Sequence, residues 1–163
     1  MTTRTYDLIL FGATGFTGGL TAEYLAKNLP KKAKWAIAGR NADKLAAVQG
    51  RLTGVKPEMV TVDAADAQAL AAMAQSTKVV VTTVGPYLQF GEPLVAACAT
   101  AGTHYCDLTG EPEFVDRMYT AYHAQAQASG AKLVHCCGFD SIPHDLGVYY
   151  TLQQHARAFG PLA

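Results

Sequence analysis

Three evenly spaced glycines come directly after the first apolar run of the chain. The run 6–11 (YDLILF) is short and mostly apolar, which predicts a buried strand, and Gly12, Gly15 and Gly18 follow it at once. To pass from a strand into a helix within so few residues, the chain must turn tightly and pack backbone against backbone, which favours residues without a Cβ. The spacing GxxGxxG in this position therefore predicts a turn that binds the pyrophosphate of a dinucleotide at a helix N-terminus.

The expected cofactor contacts of this turn fall within six consecutive residues. We expect Gly12, Thr14, Gly15, Phe16 and Thr17 to lie against the phosphates, and we expect a side chain at Gly15 to strain the backbone. The spacing is looser than GxGxxG, so a glycine-rich turn that binds no ligand is the alternative.

Short β-rich runs alternate with longer alanine-rich segments along the chain. This alternation predicts an α/β fold, a Rossmann-type doubly wound parallel sheet of about six strands in the order 3-2-1-4-5-6. We interpret residues 1–163 as one NAD(P)-binding domain, since 163 residues of which 50% are hydrophobic suffice for one core. The predicted strands are 6–11, 35–38, 59–62, 79–83, 104–107 and 132–136, and the predicted helices are 16–28, 42–52, 63–74, 92–101, 114–129 and one from 145 onward.

Charge and cysteine content narrow the classes of partner. Thirteen basic residues balance thirteen acidic ones, which favours neither nucleic acid nor an anionic membrane surface. No apolar stretch approaches the length of a transmembrane segment, about 18 residues, and no secretory signal precedes the first strand. None of the four cysteines forms a CxxC pair, which predicts reduced thiols and a cytoplasmic protein.

The end of the second predicted strand indicates which dinucleotide binds. NAD-binding domains usually place Asp or Glu there to bond the ribose hydroxyls, whereas this chain has Gly39, Arg40 and Asn41. A guanidinium forms forked, charge-assisted bonds with a phosphate, so Arg40, assisted by Lys44, favours NADP(H) through its 2′-phosphate. The alternative is that Arg40 is a solvated surface residue.

Two further strand ends contribute candidate contacts. Asp63 follows the third strand, where its side chain would reach the adenine amino group or cap the next helix. Val84, Gly85 and Pro86 follow the fourth strand, where the sheet order reverses and the nicotinamide is expected, although a plain turn is the alternative. Tyr87 adjoins this crevice and is our candidate for the catalytic proton donor.

Two other chemistries fit the sequence poorly. Short-chain dehydrogenases require a Tyr four residues before a Lys, and none of the eight lysines has one. His104 and Cys106 share one face of a predicted strand, but with the His and Cys residues at 135–137 they match no common zinc signature, so we expect no metal site. The segment 137–145 is dense in Gly, Pro, Asp and Ser, and is either a loop with a helix cap or a second ligand contact.

Four stretches together resemble one known family. They are LILFGATGFTG, AIAGRN, TTVGPYLQFGEPLVAACATAGTHYCDLTGE and HCCGFDSIPHDLG, and they span nearly the whole chain. The sequence is similar to the saccharopine dehydrogenase-like oxidoreductases and, within them, to the trans-acting enoyl reductase type. The resemblance implies a Rossmann cofactor domain, NADP(H) as cofactor and an acyl-lipid or other small-molecule substrate. His144 is a small departure, because the family pattern leads us to expect a small residue there.

Proteins of this family are much longer than this chain, and the resemblance implies that their substrate and dimerisation domain follows the segment ending near Asp145. We therefore expect an oxidoreductase that transfers hydride to an enoyl or related lipid-like substrate only in a full-length form, as a homodimer through the missing domain. Two alternatives stay open: a non-catalytic NAD(P)-binding sensor, and a saccharopine dehydrogenase proper.

Overall fold

A six-stranded parallel sheet with helices on both faces makes up residues 4–161, the part of the chain that this computed structural model describes. The strands are β1 (Tyr6–Phe11), β2 (Trp35–Gly39), β3 (Glu58–Thr61), β4 (Thr77–Thr82), β5 (His104–Cys106) and β6 (Leu133–Val134). The helices are α1 (Phe16–Asn28), α2 (Ala42–Arg51), α3 (Ala67–Ser76), α4 (Tyr87–Phe90), α5 (Glu92–Ala101), α6 (Pro112–Ser129) and α7 (Ile142–Phe159). The strand order β3-β2-β1-β4-β5-β6 confirms the predicted fold class.

The central strand β1 separates two apolar cores. It pairs with β2 on one side and with β4 on the other, and Ile9 and Leu10 are fully buried on opposite faces. Because successive side chains of a strand point to opposite faces, the apolar residues divide between the two cores. One core, with α3, α5 and α6, contains Ile9, Val80, Leu94, Tyr105 and Phe114. The other, with α1 and α2, contains Leu10, Ala22, Trp35, Ile37 and Leu45.

The single tryptophan belongs to the second of these cores. Trp35 is 2% exposed, and its indole N–H donates to the Val55 carbonyl at 3.0 Å. A buried indole needs such a partner, because its N–H would otherwise lose water without gaining a hydrogen bond. The bond fastens the start of β2 to the loop that leads into β3.

Helix starts show where the sequence predicts the structure and where it does not. α2 begins at Ala42 as predicted, and Asn41 caps it, with its side-chain oxygen accepting the N–H of Lys44 at 2.9 Å. The prediction that Asp63 begins the next helix is wrong, because α3 starts at Ala67 and is capped by Asp66. Asp63 is therefore left outside the helix, in the loop after β3.

Two other helices differ from expectation. α7 begins at Ile142 rather than Asp145, with Pro143 in its first turn, where a missing N–H costs nothing. The four-residue α4 is not predicted at all, since it is too short to show a helical period. The strands lie within two residues of their predicted bounds, and α1, α2, α5 and α6 do so too.

α7 stands apart from both cores. None of its residues is buried, and apolar side chains are exposed around much of its surface. No helix in the described range 4–161 is long and apolar enough to cross a membrane. An apolar surface of this kind on a protein marks a contact with something other than water. The exposed large apolar side chains of α7 are Ile142, Leu146, Val148, Tyr149, Tyr150, Leu152 and Phe159.

Two glycines let α1 lie directly on the end of β1. Gly12 has a φ of +92°, in the left-handed region, and a Cβ on Gly18 would collide with the Gly12 carbonyl oxygen. Neither position therefore accepts a side chain. Gly15 has a φ of −79° and a ψ of 172°, which any residue adopts, so the predicted backbone strain at Gly15 is wrong. The position at which a side chain would strain the backbone is Gly12.

We expect Gly18→Ala to lower the free energy of unfolding by about 1–3 kcal/mol, the usual cost of forcing an extra group into a closed contact. Gly50→Ala is the matched control: Gly50 lies in α2, nothing stands within 4 Å of its absent Cβ, and alanine is favoured over glycine in a helix by about 0.5–1 kcal/mol. Urea unfolding followed by circular dichroism measures both. A Gly18→Ala chain as stable as the unsubstituted one would contradict this packing of α1.

Candidate functional site

A cavity of about 370 Å³ opens at the carboxyl ends of β1, β2, β3 and β4. The sheet order reverses between β1 and β4, and ligands of doubly wound sheets bind at such a point. Eight of the predicted cofactor residues line the cavity: Gly12, Thr14, Gly15, Gly39, Arg40, Asp63, Val84 and Gly85. The remaining lining residues were not predicted from the sequence: Phe11, Val62, Ala64, Thr83 and Phe90.

Hydrogen bonds from two strands fix the glycine turn in the cavity wall. The Gly12 N–H donates to the Ala38 carbonyl of β2 at 2.9 Å, and the Thr83 hydroxyl, just after β4, donates to the Gly12 carbonyl at 3.2 Å. α1 has Gly15 as its N-cap, so no side chain at that position satisfies the first N–H groups of the helix. The starts of α2 and α3, by contrast, are capped by side chains. The cavity therefore adjoins a helix start whose amides suit an anion.

The other predicted contacts lie outside the lining. Phe16 and Thr17 are exposed in the first turn of α1, so only their backbone N–H groups are placed to meet a phosphate. Asn41 uses its side chain to cap α2, and Pro86 lies just beyond the part of the loop that lines the cavity. The segment 137–145 forms the turn before α7 and the start of that helix, and it does not contribute to the lining.

Arg40 and Asp63 place opposite charges on the cavity wall. Arg40 is exposed after β2, and within residues 4–161 no carboxylate lies within ion-pair distance of its guanidinium. One oxygen of Asp63 accepts the Ala65 N–H at 2.9 Å. A guanidinium without an internal partner suits an external anion, whereas a carboxylate suits an external N–H donor.

Tyr87 lies beneath the cavity rather than in it. It is 5% exposed and packs on Phe114 with ring centroids 5.7 Å apart. Its hydroxyl donates to the Thr82 carbonyl at 3.1 Å, and burial raises the pKa of Tyr87 to about 12. The expectation that Tyr87 faces the crevice is therefore corrected, because α4 turns its ring into the apolar core and brings Phe90 to the cavity wall instead.

A buried carboxylate ties together the loops after β5 and β6. The Asp107 side chain is fully buried, and its Oδ2 accepts the Tyr105 hydroxyl at 2.8 Å and lies 2.6 Å from the His135 Nδ1, a donor in the tautomer that a carboxylate favours. Its Oδ1 accepts the backbone N–H of Thr109 at 3.1 Å and that of Cys136 at 3.0 Å. Four donors from three segments of chain thus meet on one side chain.

Asp107 is held in its ionised form although it is buried. Burial by itself would raise its pKa, but the hydrogen bonds from His135, Thr109 and Tyr105 outweigh burial, and the pKa is lowered from its usual value. The sequence does carry a signal for this residue: a carboxylate at the carboxyl end of a strand, as at Asp63. A strand of only three residues makes that signal weak.

The His and Cys residues near β5 and β6 have other partners. Within residues 4–161, no group of three or more His, Cys, Asp or Glu is arranged to hold a metal ion. The His104 ring accepts the Lys132 N–H at 3.1 Å, and His135 is bound to Asp107. All four cysteines are free thiols.

The sheet order, the glycine turn and the cavity at the switch point define a dinucleotide-binding Rossmann domain. A family model described as the saccharopine dehydrogenase NADP binding domain matches residues 8–134, more than half of the chain. The chain belongs to this family. Membership confirms the resemblance seen in the sequence and the prediction of NADP(H) as the class of cofactor.

Mycobacterial proteins are among the relatives that share much of their sequence with this chain. A Mycobacterium tuberculosis protein, provisionally named a trans-acting enoyl reductase, is 52% identical over 98% of this chain and 38% of its own length. Trans-acting enoyl reductases of Mycobacterium bovis and Mycobacterium leprae are 49% and 47% identical, each over 90% of this chain and 35% of their own length. The chain thus spans little more than a third of these relatives.

Solved structures share the fold at low sequence identity. Apo saccharopine dehydrogenase (L-Glu forming) from Saccharomyces cerevisiae has a TM-score of 0.77 at 16% identity, over 94% of this chain and 32% of that one. Leucoanthocyanidin reductase from Vitis vinifera, in a binary complex with NADPH, has a TM-score of 0.55 at 19% identity, over 79% of this chain and 48% of that one. These likenesses support the Rossmann fold and assign no function to any residue.

We expect Asp107→Asn to lower the free energy of unfolding at about pH 7 by at least about 2 kcal/mol, because an amide NH2 then faces donors that the carboxylate accepted. Since folding lowers the Asp107 pKa, its stabilisation is present above the unfolded pKa of about 4 and is lost as the pH falls below that value. Urea unfolding at a series of pH values should show the difference shrinking in acid. Asp116→Asn, on the exposed face of α6, is the control, and a difference independent of pH would argue against an ionised Asp107.

Proposed function

We propose that this chain is the cofactor domain of a reductase that transfers a hydride from NADPH to the double bond of an enoyl group on a lipid-like substrate. The cavity at the switch point, lined by both the glycine turn and Arg40, carries the cofactor half of the proposal. The names of relatives that are 47% and 52% identical support the enoyl half. The nicotinamide supplies the hydride, while the chain binds and orients the cofactor.

The glycine turn would receive the pyrophosphate. A Cβ on Gly15 would have only the Gly12 carbonyl within 4 Å, at 3.5 Å, so the protein's own packing does not require a glycine there. The open space suits a phosphate that approaches the backbone of Gly12, Thr14 and Gly15 and the first amides of α1, those of Phe16 and Thr17.

The adenosine half would lie over the ends of β2 and β3. Arg40 lies between Gly39 and Asn41, at the end of β2. It would pair with the 2′-phosphate, because its guanidinium has no ion-pair partner among residues 4–161. Asp63 would accept a hydrogen bond from the adenine amino group through the oxygen that does not serve Ala65.

The nicotinamide would lie beside the loop after β4. Val84 and Gly85 line the cavity and Pro86 follows them, so this backbone would face the reactive ring. For Tyr87 we propose a positioning role instead of proton donation. Its hydroxyl donates to the Thr82 carbonyl at 3.1 Å and accepts the Leu108 N–H at 3.4 Å, which joins this loop to the neighbouring one.

We also propose that the active protein carries a further domain. Such a domain would cover the seven exposed apolar side chains of α7, hold the substrate over the nicotinamide and join two copies as a homodimer. The proposal is supported by the relatives, of whose length this chain spans 35–38%. The free thiols favour a cytoplasmic location for the protein.

We expect the chain to bind NADPH roughly 10- to 100-fold more tightly than NADH, since a charge-assisted bond to the 2′-phosphate contributes about 1.5–3 kcal/mol. Arg40→Ala should remove most of this preference while leaving NADH affinity unchanged. Arg117→Ala is the matched control, because Arg117 pairs with Glu92 at 2.8 Å, away from the cavity. Calorimetric titration of both cofactors decides the matter, and equal affinities in the unsubstituted chain would rule out the role given to Arg40.

We expect the 163-residue chain to bind NADPH but to reduce nothing, whereas a full-length form reduces an enoyl thioester. Holding an acceptor carbon about 3–3.5 Å from the nicotinamide supplies roughly 7–11 kcal/mol of the barrier, and the cofactor domain forms only one wall of that crevice. The assay is the loss of NADPH absorbance with short enoyl thioesters, with and without each protein. Oxidation by the short chain alone would refute the need for a further domain, and a full-length form that accepts saccharopine instead would refute the substrate class.

A further inference from the structure

One carboxylate outside the cavity holds the segment that forms one of its walls. The Glu111 Oε1 accepts the N–H of Tyr87 and the Oε2 accepts the N–H of Leu88, each at 2.8 Å. These are the first two residues of α4, and its N-cap, Pro86, provides no side-chain hydrogen bond. Since the first N–H groups of a helix have no partner within it, Glu111 supplies what α4 lacks, through two charge-assisted bonds.

The backbone of Glu111 is held in place by hydrogen bonds at both its N–H and its carbonyl group. Its backbone N–H donates to the Thr109 hydroxyl at 3.1 Å, and the Thr109 N–H donates to the buried Asp107 at 3.1 Å. The Glu111 carbonyl accepts the Phe114 N–H at 3.0 Å, at the start of α6. The carboxylate therefore extends from a fixed point, as a group that orients another must do.

The other end of α4 is fixed by a close contact with α6. The Gly91 N–H donates to the Tyr87 carbonyl at 2.8 Å, and a Cβ on Gly91 would lie 2.6 Å from the Phe114 ring. Phe90 lies just before this contact, is 43% exposed and lines the cavity. The position of the Phe90 ring is thus set by how α4 is held at its two ends.

We propose that Glu111 is a positioning residue for the nicotinamide half of the cofactor. It does not line the cavity, but it holds α4 so that Phe90 and the loop after β4 form a wall before the cofactor arrives. The inference rests on the proposed function, because it takes the nicotinamide to lie beside that loop. The adenosine half, over Arg40 and Asp63, contacts other strand ends and does not depend on Glu111.

The test compares two ligands that share the adenosine half. Calorimetry measures the affinities of the unsubstituted chain, Glu111→Ala and Glu111→Gln for NADPH and for adenosine 2′,5′-bisphosphate, which has no nicotinamide. We expect Glu111→Ala to weaken NADPH about tenfold and to leave the bisphosphate within about twofold. Glu111→Gln keeps one acceptor oxygen, so its affinity for NADPH should lie between those of the unsubstituted chain and Glu111→Ala. Glu113→Ala, an exposed neighbour in the first turn of α6, is the matched control and should change neither affinity.

Hydrogen exchange supplies a readout that needs no ligand. The Tyr87 and Leu88 amides should exchange faster in Glu111→Ala than in the Glu113→Ala control, while the β1 amides stay protected. If Glu111→Ala fails to fold, Glu111→Gln decides the question by the same two affinities. Suppose that the unsubstituted chain binds both ligands. If substitution of Glu111 then changes the two affinities equally, or changes neither, the positioning role of Glu111 is wrong and the proposed function is unaffected. An unsubstituted chain that binds neither ligand would overturn the proposed function and this role together.

Discussion

The contact between Gly18 of α1 and the carbonyl of Gly12 at the end of β1 is the constraint on which the rest of the structure depends. It is a contact of backbone with backbone, and it fixes where the first helix starts relative to the central strand. Because β1 has β2 on one side and β4 on the other, the start of α1 lies between the loops that follow those strands. The turn, Arg40 and Thr83 therefore share one edge of the sheet by construction.

Some charged groups at this edge bind donors of the protein itself, whereas others are available to a ligand. Asp107 and Glu111 are occupied by donors of the protein itself: Asp107 accepts from two side chains and two backbone amides, and Glu111 accepts from two backbone amides. Arg40 has no such partner among residues 4–161. The edge therefore presents a positive charge and helix amides to a ligand, although the chain has no net charge at neutral pH. Its acidic groups shape the wall, and only Asp63 among them lines the cavity.

The sequence predicts the sheet well because parallel strands buried on both faces appear as continuous apolar runs, and the glycine turn marks the first of them. It predicts the cavity lining where the contact is local to a strand end, as at Gly15, Arg40 and Gly85. The prediction fails at Tyr87. The direction of this side chain is set by α4, and a helix of four residues is too short to be recognised in the sequence. It also misses Glu111, whose partners are distant in sequence and meet it only in the folded chain.

The burial of Trp35 has an optical consequence. The chain has one tryptophan, at the start of β2, level in the sheet with Val79 two strands away. Val84 lies five residues beyond Val79, so the indole is roughly 20 Å from the loop beside which the nicotinamide would lie. Indole emission overlaps the absorption of reduced nicotinamide but not that of the oxidised ring. With a dinucleotide in the cavity, energy transfer from this single donor would quench its fluorescence for NADPH and spare it for NADP+. The core residue that anchors β2 would then report the redox state of the bound cofactor without any added label.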